Sequence, residues 1–506
     1  PMERPQNLIF IIFGASGDLT RLKLIPAVYS LYKQGLLPEG FSVLGIGRSE
    51  MTNEQFRENV NCAIVDKDQQ SDNKTDHIND FCEKLHYLSI DTEDFNAYDH
   101  VRHQLQEIGT QLNIQENYLF YLATPPSLYK TIATGLNKSG LNDQSNGWKR
   151  LIVEKPFGYD LESAIELNKY LLNIYSEDQL YRIDHYLGKE TVQNLLVTRF
   201  SNGFFEPIWN RRYVDYVEIS SSETLGINQR GGYYETAGAL RDMVQNHLLQ
   251  LVSLVAMEPP AFFDSNSIRN ETVKVLHSLR PFQSSDIDKF IVRGQYAASR
   301  SGSEIDYLDE ENVAPDSKTE TFVAMKFFID NWRWGGVPFY IRTGKRLKSR
   351  VTEIVLHLKP APHQLFNDPT VRRIGNQLII RIQPDEGIAL DFGMKIPGSG
   401  FKVQDANLHF HYKDLPQARI SEAYERLLVD CMLGDSTLYA RADAVEASWK
   451  FIMPILDAWK DNPALPLYKY DSGSWGPEAA SQLFERPELQ WRHPCASFSL
   501  NGACDL

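Results

Sequence analysis

The stretch Ile11-Ile12-Phe13-Gly14-Ala15-Ser16-Gly17-Asp18-Leu19 puts a glycine turn directly after an apolar run that starts at Leu8. Glycine in such a turn lets the backbone approach a pyrophosphate, and the helix that follows offers unpaired amides and a positive dipole end. The spacing is GxxG rather than GxGxxG, so alone it also fits an ordinary strand-to-helix turn. The surroundings favour the first reading. Residues 8–13, 43–46, 118–122 and 150–153 are short apolar runs, each separated by room for a helix. Such alternation predicts a doubly wound, Rossmann-like parallel sheet of the α/β class, with a dinucleotide domain over residues 1–180.

Past residue 180 the pattern changes. An alternating strand at 213–220 precedes an amphipathic helical run at 240–257. Strand candidates then follow at 322–329, 352–358, 377–383, 388–394 and 407–412, and a helical segment at 421–457. A run of strands with few helices between them predicts a larger α+β domain over residues 181–506, built on a big, mainly antiparallel sheet. A wide half-apolar sheet has to be covered, so a homodimer or homotetramer is expected. Residues 66–76, 142–148 and 301–320 read as polar loops.

Bulk properties narrow the function. With 506 residues, 42% hydrophobic and 23% charged, the chain has the composition of a globular protein of more than one domain. No apolar run nears the roughly 20 residues that span a bilayer, and the polar residues 1–7 do not read as a secretory signal. The five cysteines are an odd, scattered set without CxxC spacing, which argues against a disulfide framework or a zinc site and suits a reducing cytoplasm. A net charge of −14 disfavours nucleic acid as a partner. Any anionic ligand must therefore be met by a local cluster of bases.

Three such places stand out. After the second apolar run the chain reads Gly45-Ile46-Gly47-Arg48-Ser49, where an NAD enzyme usually carries an acidic residue. Arg48 suits a ribose 2′-phosphate and hence NADP, the alternative being a solvated surface arginine. Two further strand ends, Thr124-Pro125-Pro126 and Glu154-Lys155-Pro156-Phe157-Gly158, fall at the carboxyl edge of the sheet. Pro156 holds Lys155 extended, within reach of cofactor and substrate unless it is simply a turn lysine. In Arg182-Ile183-Asp184-His185-Tyr186-Leu187-Gly188-Lys189-Glu190, a helix would place His185 and Lys189 on one face as an anion site. Asp184 would then point about 100° away, free for another partner. One candidate is His247 in Arg241-Asp242-Met243-Val244-Gln245-Asn246-His247-Leu248-Leu249. Helical periodicity groups it with Met243, Leu248 and Leu251, so on that evidence alone a satisfied core histidine outweighs a catalytic one. Arg342, Lys345, Arg346, Lys348 and Arg350 read as a positive patch or a solvated turn, with Lys345 the residue of most interest.

Taken together, GASGDLxxxK at 14–23, EKPFG at 154–158, RIDHYLGKE at 182–190, RDMVQNHLLQ at 241–250 and the stretch 334–345 occur in the order and spacing of one family. From residue 8 to 475 the chain resembles the glucose-6-phosphate dehydrogenase family. The resemblance implies oxidation of glucose 6-phosphate to 6-phosphogluconolactone with hydride transfer to NADP, the opening step of the pentose phosphate pathway. It implies that His247 is the general base and that Asp184 orients it. It assigns the sugar phosphate to His185, Tyr186, Lys189 and Lys345, and the glucose hydroxyls to Lys155, Glu223, Asp242 and Gln383. Cofactor contacts fall on Gly14, Ser16, Gly17, Asp18, Leu19, Lys23, Arg48, Thr124, Pro125 and Lys155, a cis bond on Pro156, and no metal is implied. Some animal members hold a second, structural NADP through basic residues where this chain has Val351 and Val355. Although Arg350 and Arg381 remain, that second site is not expected. The rival readings are a related dehydrogenase of an unphosphorylated sugar or inositol, and a non-catalytic NADP-sensing protein. The cation cluster speaks against the first, and retention of Asp184 with His247 against the second.

Overall fold

The computed structural model describes residues 4–67, 75–299, 302, 304–363, 365–366, 375–415 and 422–495. The polar loop expected at 66–76 falls largely outside them. The chain forms two compact units, one of residues 1–189, 262–269 and 421–446, the other of residues 190–261, 270–420 and 447–506.

The first unit carries a six-stranded sheet of β1 (Leu8–Phe13), β2 (Phe41–Gly47), β3 (Leu85–Ser89), β4 (Tyr118–Leu122), β5 (Lys149–Glu154) and β6 (Leu180–Ile183). All its pairings are parallel, in the order β3-β2-β1-β4-β5-β6. Every residue of β1 is fully buried, as a central parallel strand covered on both faces requires. The order reverses between β1 and β4, so ligands are expected beyond the carboxyl ends of those two strands. Two strands escaped the sequence reading, β3 and β6, which form the edges. In β6 the apolar run is broken by Arg182, which is nonetheless buried because Asn168 and Glu177 take its guanidinium at 3.1 and 2.7 Å. The helix Ala423–Leu433 joins this unit from far along the chain. Its last carbonyls, at Cys431 and Met432, are capped by Arg150 of β5 at 2.7 Å each.

The second unit is organised by a nine-stranded sheet. Its strands are β7 (Val214–Ser222), β8 (Ile291–Ala297), β9 (Phe322–Phe328), β10 (Pro338–Gly344), β11 (Val351–Leu358), β12 (Gln377–Gln383), β13 (Gly387–Lys395), β14 (Val403–His411) and β15 (Tyr468–Asp471). The order is β14-β13-β12-β11-β7-β10-β9-β8-β15, antiparallel except where β7 meets β10 and β8 meets β15. Three of these strands, β8, β10 and β15, were not read from the sequence. In β10 the proline and Arg342 break the pattern, yet Arg342 is buried and donates to Ser220 Oγ at 3.0 Å. Val351 and Val355 are fully buried core residues. Arg381 is paired with Glu353 at 3.1 Å and donates to the Cys495 carbonyl at 2.9 Å.

The helical run at 240–257 is two pieces. Residues Leu240–Leu248 are wound as a π-helix and Leu249–Ala256 as an α-helix. Buried donors from elsewhere hold the end of this rod. Arg199 bonds the carbonyls of Leu254 and Met257, Trp209 that of Val255, and Trp334 that of Ala256, all at 2.8–2.9 Å.

Among the described cysteines Cys82 and Cys431 are free and buried. Cys495 is disulfide-bonded, which the odd and scattered set did not suggest. No helix among the described residues is long and apolar enough to cross a membrane.

Candidate functional site

In the first unit the glycine turn has the form its sequence predicts. Gly14 has φ +90°, and a Cβ there would overlap the carbonyl oxygen of Ala123 at the end of β4. The amides of Gly14 and Ala15 both donate to the Ile46 carbonyl, at 2.9 and 3.0 Å, and Gly17 donates back to Gly14. Three amides of the motif thus build the turn itself. Ser16, Asp18 and Leu19 lie at its outer rim, with Asp18 paired to Arg21 at 3.3 Å and Lys23 exposed on the following turn.

Around this turn lie the other carboxyl strand ends. Thr124 follows β4, and its hydroxyl is buried without a hydrogen-bond partner. An orphaned buried hydroxyl costs about 1–3 kcal/mol unless a ligand satisfies it. Together with the Cβ-free turn it fits a dinucleotide at this edge. Pro125 is exposed beside it, as is Arg48 at the end of β2. Lys155 directly follows β5, and the Lys155–Pro156 bond is cis.

The segment 184–189 differs from expectation. It is a turn, and the helix starts only at Glu190. Asp184 accounts for the difference, because its Oδ1 accepts from the Tyr186 amide at 3.0 Å and its carbonyl from the Leu187 amide at 3.0 Å. The Leu187 and Lys189 amides reach only three residues back, to the Asp184 and Tyr186 carbonyls, which closes successive tight turns and no α-helix. His185, Tyr186 and Lys189 are nevertheless gathered. The His185 and Tyr186 rings lie 5.1 Å apart, and the Lys189 ammonium stands 5.2 Å over the Tyr186 ring.

The second unit gathers another set. His247 is 1% exposed on the π-helix, and its amide donates to Asn246 Oδ1 at 2.6 Å. Wider winding replaces the 3.6-residue repeat from which its neighbours were read, and π geometry recurs at functional sites. Asp242, one turn earlier, accepts from the Tyr233 hydroxyl at 3.1 Å. Lys345 pairs with Glu223, and its ammonium lies 5.7 Å from the Tyr234 ring. Gln383 bonds Thr352 at 3.1 Å. The expected basic patch is dispersed, since Arg342 is buried in β10 and Arg346 is paired with Glu304.

One important residue lay in a stretch read as an empty loop. Glu320 is buried, and its Oε1 accepts from the Leu240 amide at 2.9 Å, so it caps the π-helix. Gly238, with φ +65°, makes room for that carboxylate, which a Cβ would strike. Burial holds Glu320 above the ordinary carboxylate range, against the opposing pull of the Leu240 hydrogen bond, Arg241 and Arg293. The only sequence signal was a lone glycine shortly before the helical run.

Known proteins resemble this chain over nearly all of its length. Residues 11–194 match the family model described as glucose-6-phosphate dehydrogenase, NAD binding domain, and residues 196–492 that of its C-terminal domain. The glucose-6-phosphate 1-dehydrogenase of Aggregatibacter actinomycetemcomitans is 50% identical over 493 residues, covering 97% of this chain and 98% of its own. That of Bacillus subtilis is 45% identical over 495 residues, covering 97% and 99%. A solved glucose-6-phosphate dehydrogenase in complex with its substrate glucose-6-phosphate superposes with a TM-score of 0.86 at 37% identity, covering 94% of this chain and 97% of that one.

Proposed function

The chain belongs to the glucose-6-phosphate dehydrogenase family, and on that premise we propose how its residues divide the work of oxidising glucose 6-phosphate to the phosphogluconolactone. It is an oxidoreductase with a nicotinamide dinucleotide domain. NADP is the form we assign. Arg48, an exposed guanidinium with no acidic residue in its place, follows β2 and is suited to a 2′-phosphate. The observation that carries the cofactor reading is the pairing of a Cβ-free turn at Gly14 with the partnerless buried hydroxyl of Thr124. Ser16, Gly17, Asp18, Leu19, Lys23, Pro125 and Lys155 complete this binding edge.

His247 takes the proton of the anomeric hydroxyl on an imidazole nitrogen, the role a positioned histidine fills as general base. Asp184 fixes its tautomer and stabilises the imidazolium, as carboxylates do in histidine catalysis. His185, Tyr186, Lys189 and Lys345 hold the phosphate. Lys155, Glu223, Asp242 and Gln383 hold the sugar hydroxyls. Phosphate binding is remote from the reacting carbon, so its free energy serves to orient that carbon. The dinucleotide, when bound, supplies the hydride acceptor.

A homo-oligomer and a cytoplasmic setting complete the proposal. The outer strands β13 and β14 expose Met394, Leu408 and Phe410, with Phe401 between them 77% exposed, an apolar surface that a second copy would cover. The test is nicotinamide absorbance on mixing the protein with NADP or NAD and with glucose 6-phosphate, glucose or other hexose phosphates in turn. Reduction is expected with glucose 6-phosphate, fastest with NADP. Reduction by free glucose at an equal rate overturns the phosphate assignments, and none with glucose 6-phosphate overturns the function.

A further inference from the structure

Inside the first unit a carboxyl and three aromatic hydroxyls converge on one strand end, and none of the roles above uses them. Glu154 is the last residue of β5, immediately before Lys155. Its Oε1 accepts hydrogen bonds from the Tyr121 hydroxyl and, at 3.1 Å, from the Tyr424 hydroxyl. Its backbone carbonyl accepts from the Tyr129 hydroxyl at 3.0 Å. Tyr121 lies in the neighbouring strand β4, Tyr129 opens the helix Tyr129–Lys138, and Tyr424 lies in the first turn of the helix Ala423–Leu433. Beyond Tyr424 the series continues. Its ring runs parallel to the His185 imidazole, with planes 9° apart and centroids 6.5 Å apart.

A carboxyl in such surroundings is costly to keep for packing alone, since an apolar side chain of similar volume generally serves a core as well or better. Burial holds Glu154 above the ordinary carboxylate range, opposed by the two tyrosine hydrogen bonds and by Lys155. Both tyrosines are held well above their ordinary range, so their hydroxyls remain donors under neutral conditions. The group sits where β5 ends, directly before Lys155.

We infer that Glu154 is a positioning residue: gripped by Tyr121 and Tyr424, it sets the direction in which Lys155 leaves β5 and, through the Tyr424 ring, the plane of the His185 imidazole. The inference rests on the roles proposed for Lys155 and His185. Misplacement of a substrate-holding group by about 1 Å can cost on the order of 10²-fold in rate, so loss of the grip is read in kinetics.

The test is steady-state kinetics with glucose 6-phosphate varied at saturating NADP, each variant normalised to its folded fraction. Tyr424→Phe removes the hydroxyl but keeps the ring. It is expected to lower kcat about tenfold while leaving the KM for glucose 6-phosphate near that of the wild type. Tyr424→Leu removes the ring as well and is expected to raise that KM in addition. Glu154→Gln, which keeps an acceptor and the shape, is expected to retain more of kcat than Glu154→Ala. If the Glu154 variants or Tyr424→Leu fail to fold, Tyr121→Phe decides, because it keeps the ring packing in β4 and is expected to lower kcat like Tyr424→Phe. A lowered melting midpoint with kcat and KM unchanged in Tyr424→Phe and Tyr121→Phe makes the cluster merely structural and overturns the inference. A wild-type protein inactive on glucose 6-phosphate would instead overturn the functional reading beneath it.

Discussion

Glu223 and Lys345 form an ion pair although 122 residues separate them in the chain. Parallel pairing of β7 with β10 sets Ser222 opposite Gly344, so the next residue of each strand emerges beside the other. The Glu223 amide reaches the Gly344 carbonyl at 3.0 Å, and the Leu347 amide returns to the Glu223 carbonyl at 2.8 Å. A lysine held at a strand end by a carboxylate is oriented before any phosphate arrives.

Lys345→Ala is therefore expected to raise the KM for glucose 6-phosphate at least about tenfold, since it removes a charge-assisted contact and leaves Glu223 to repel the phosphate. Turnover should change less. Glu223→Gln by itself is expected to raise that KM as well, since the carboxylate orients Lys345 and holds a sugar hydroxyl. Steady-state kinetics of the three proteins checks this, and an unaltered KM in Lys345→Ala removes Lys345 from the phosphate site.

His247→Asn should cut kcat by roughly 10²–10⁴-fold, the usual contribution of a general base, with the KM for glucose 6-phosphate changed only slightly. His247 is 1% exposed, so the melting midpoint must be measured beside the kinetics to separate a damaged core from a lost base. Turnover kept at more than about a tenth of the wild-type value in folded protein would exclude His247 as the base.

Arg48 is exposed, so Arg48→Ala is expected to leave stability within about 0.5 kcal/mol. Its effect should fall on the ratio of kcat/KM for NADP to that for NAD, which is expected to drop about tenfold or more, as loss of a guanidinium–phosphate contact implies. An unchanged ratio places recognition of the 2′-phosphate on other residues.

Glu320 gives a pH signature of stability. Its carboxyl is held above the ordinary value of 4.5 by burial, so the folded protein keeps this proton where the unfolded chain has released it. Its contribution is then fully present below pH 4.5 and is lost as pH rises through the folded value. Glu320→Gln keeps an acceptor for the Leu240 amide and removes the titration. Relative to the wild type, the variant should gain stability as the pH climbs from 4.5 toward neutrality. Melting midpoints across that range test it, and parallel curves for the two proteins would refute it.

Some of this molecule was legible from local pattern. The strands β1, β2, β4 and β5 could be read because a parallel strand buried on both faces must be apolar throughout. The turn at Gly14 could be read because only glycine avoids the Ala123 carbonyl there. The resemblance of its motifs to a known family likewise nominated Asp184, His185, Lys189, His247 and Lys345 without any coordinates.

Long-range packing decided the rest. Whether the segment after Arg182 is helix or turn depends on where Asp184 sends its hydrogen bonds, and periodicity cannot report that. The π-helix that carries His247 is capped at Leu240 by Glu320, a carboxylate 80 residues from that amide. The strands β6 and β10 were hidden because a buried arginine is stable only with distant partners, at Asn168, Glu177 and Ser220. A sequence records which side chains are apolar and where the backbone must bend. Which polar groups satisfy one another across the fold is settled only when remote segments meet, because a buried hydrogen bond needs both partners in place.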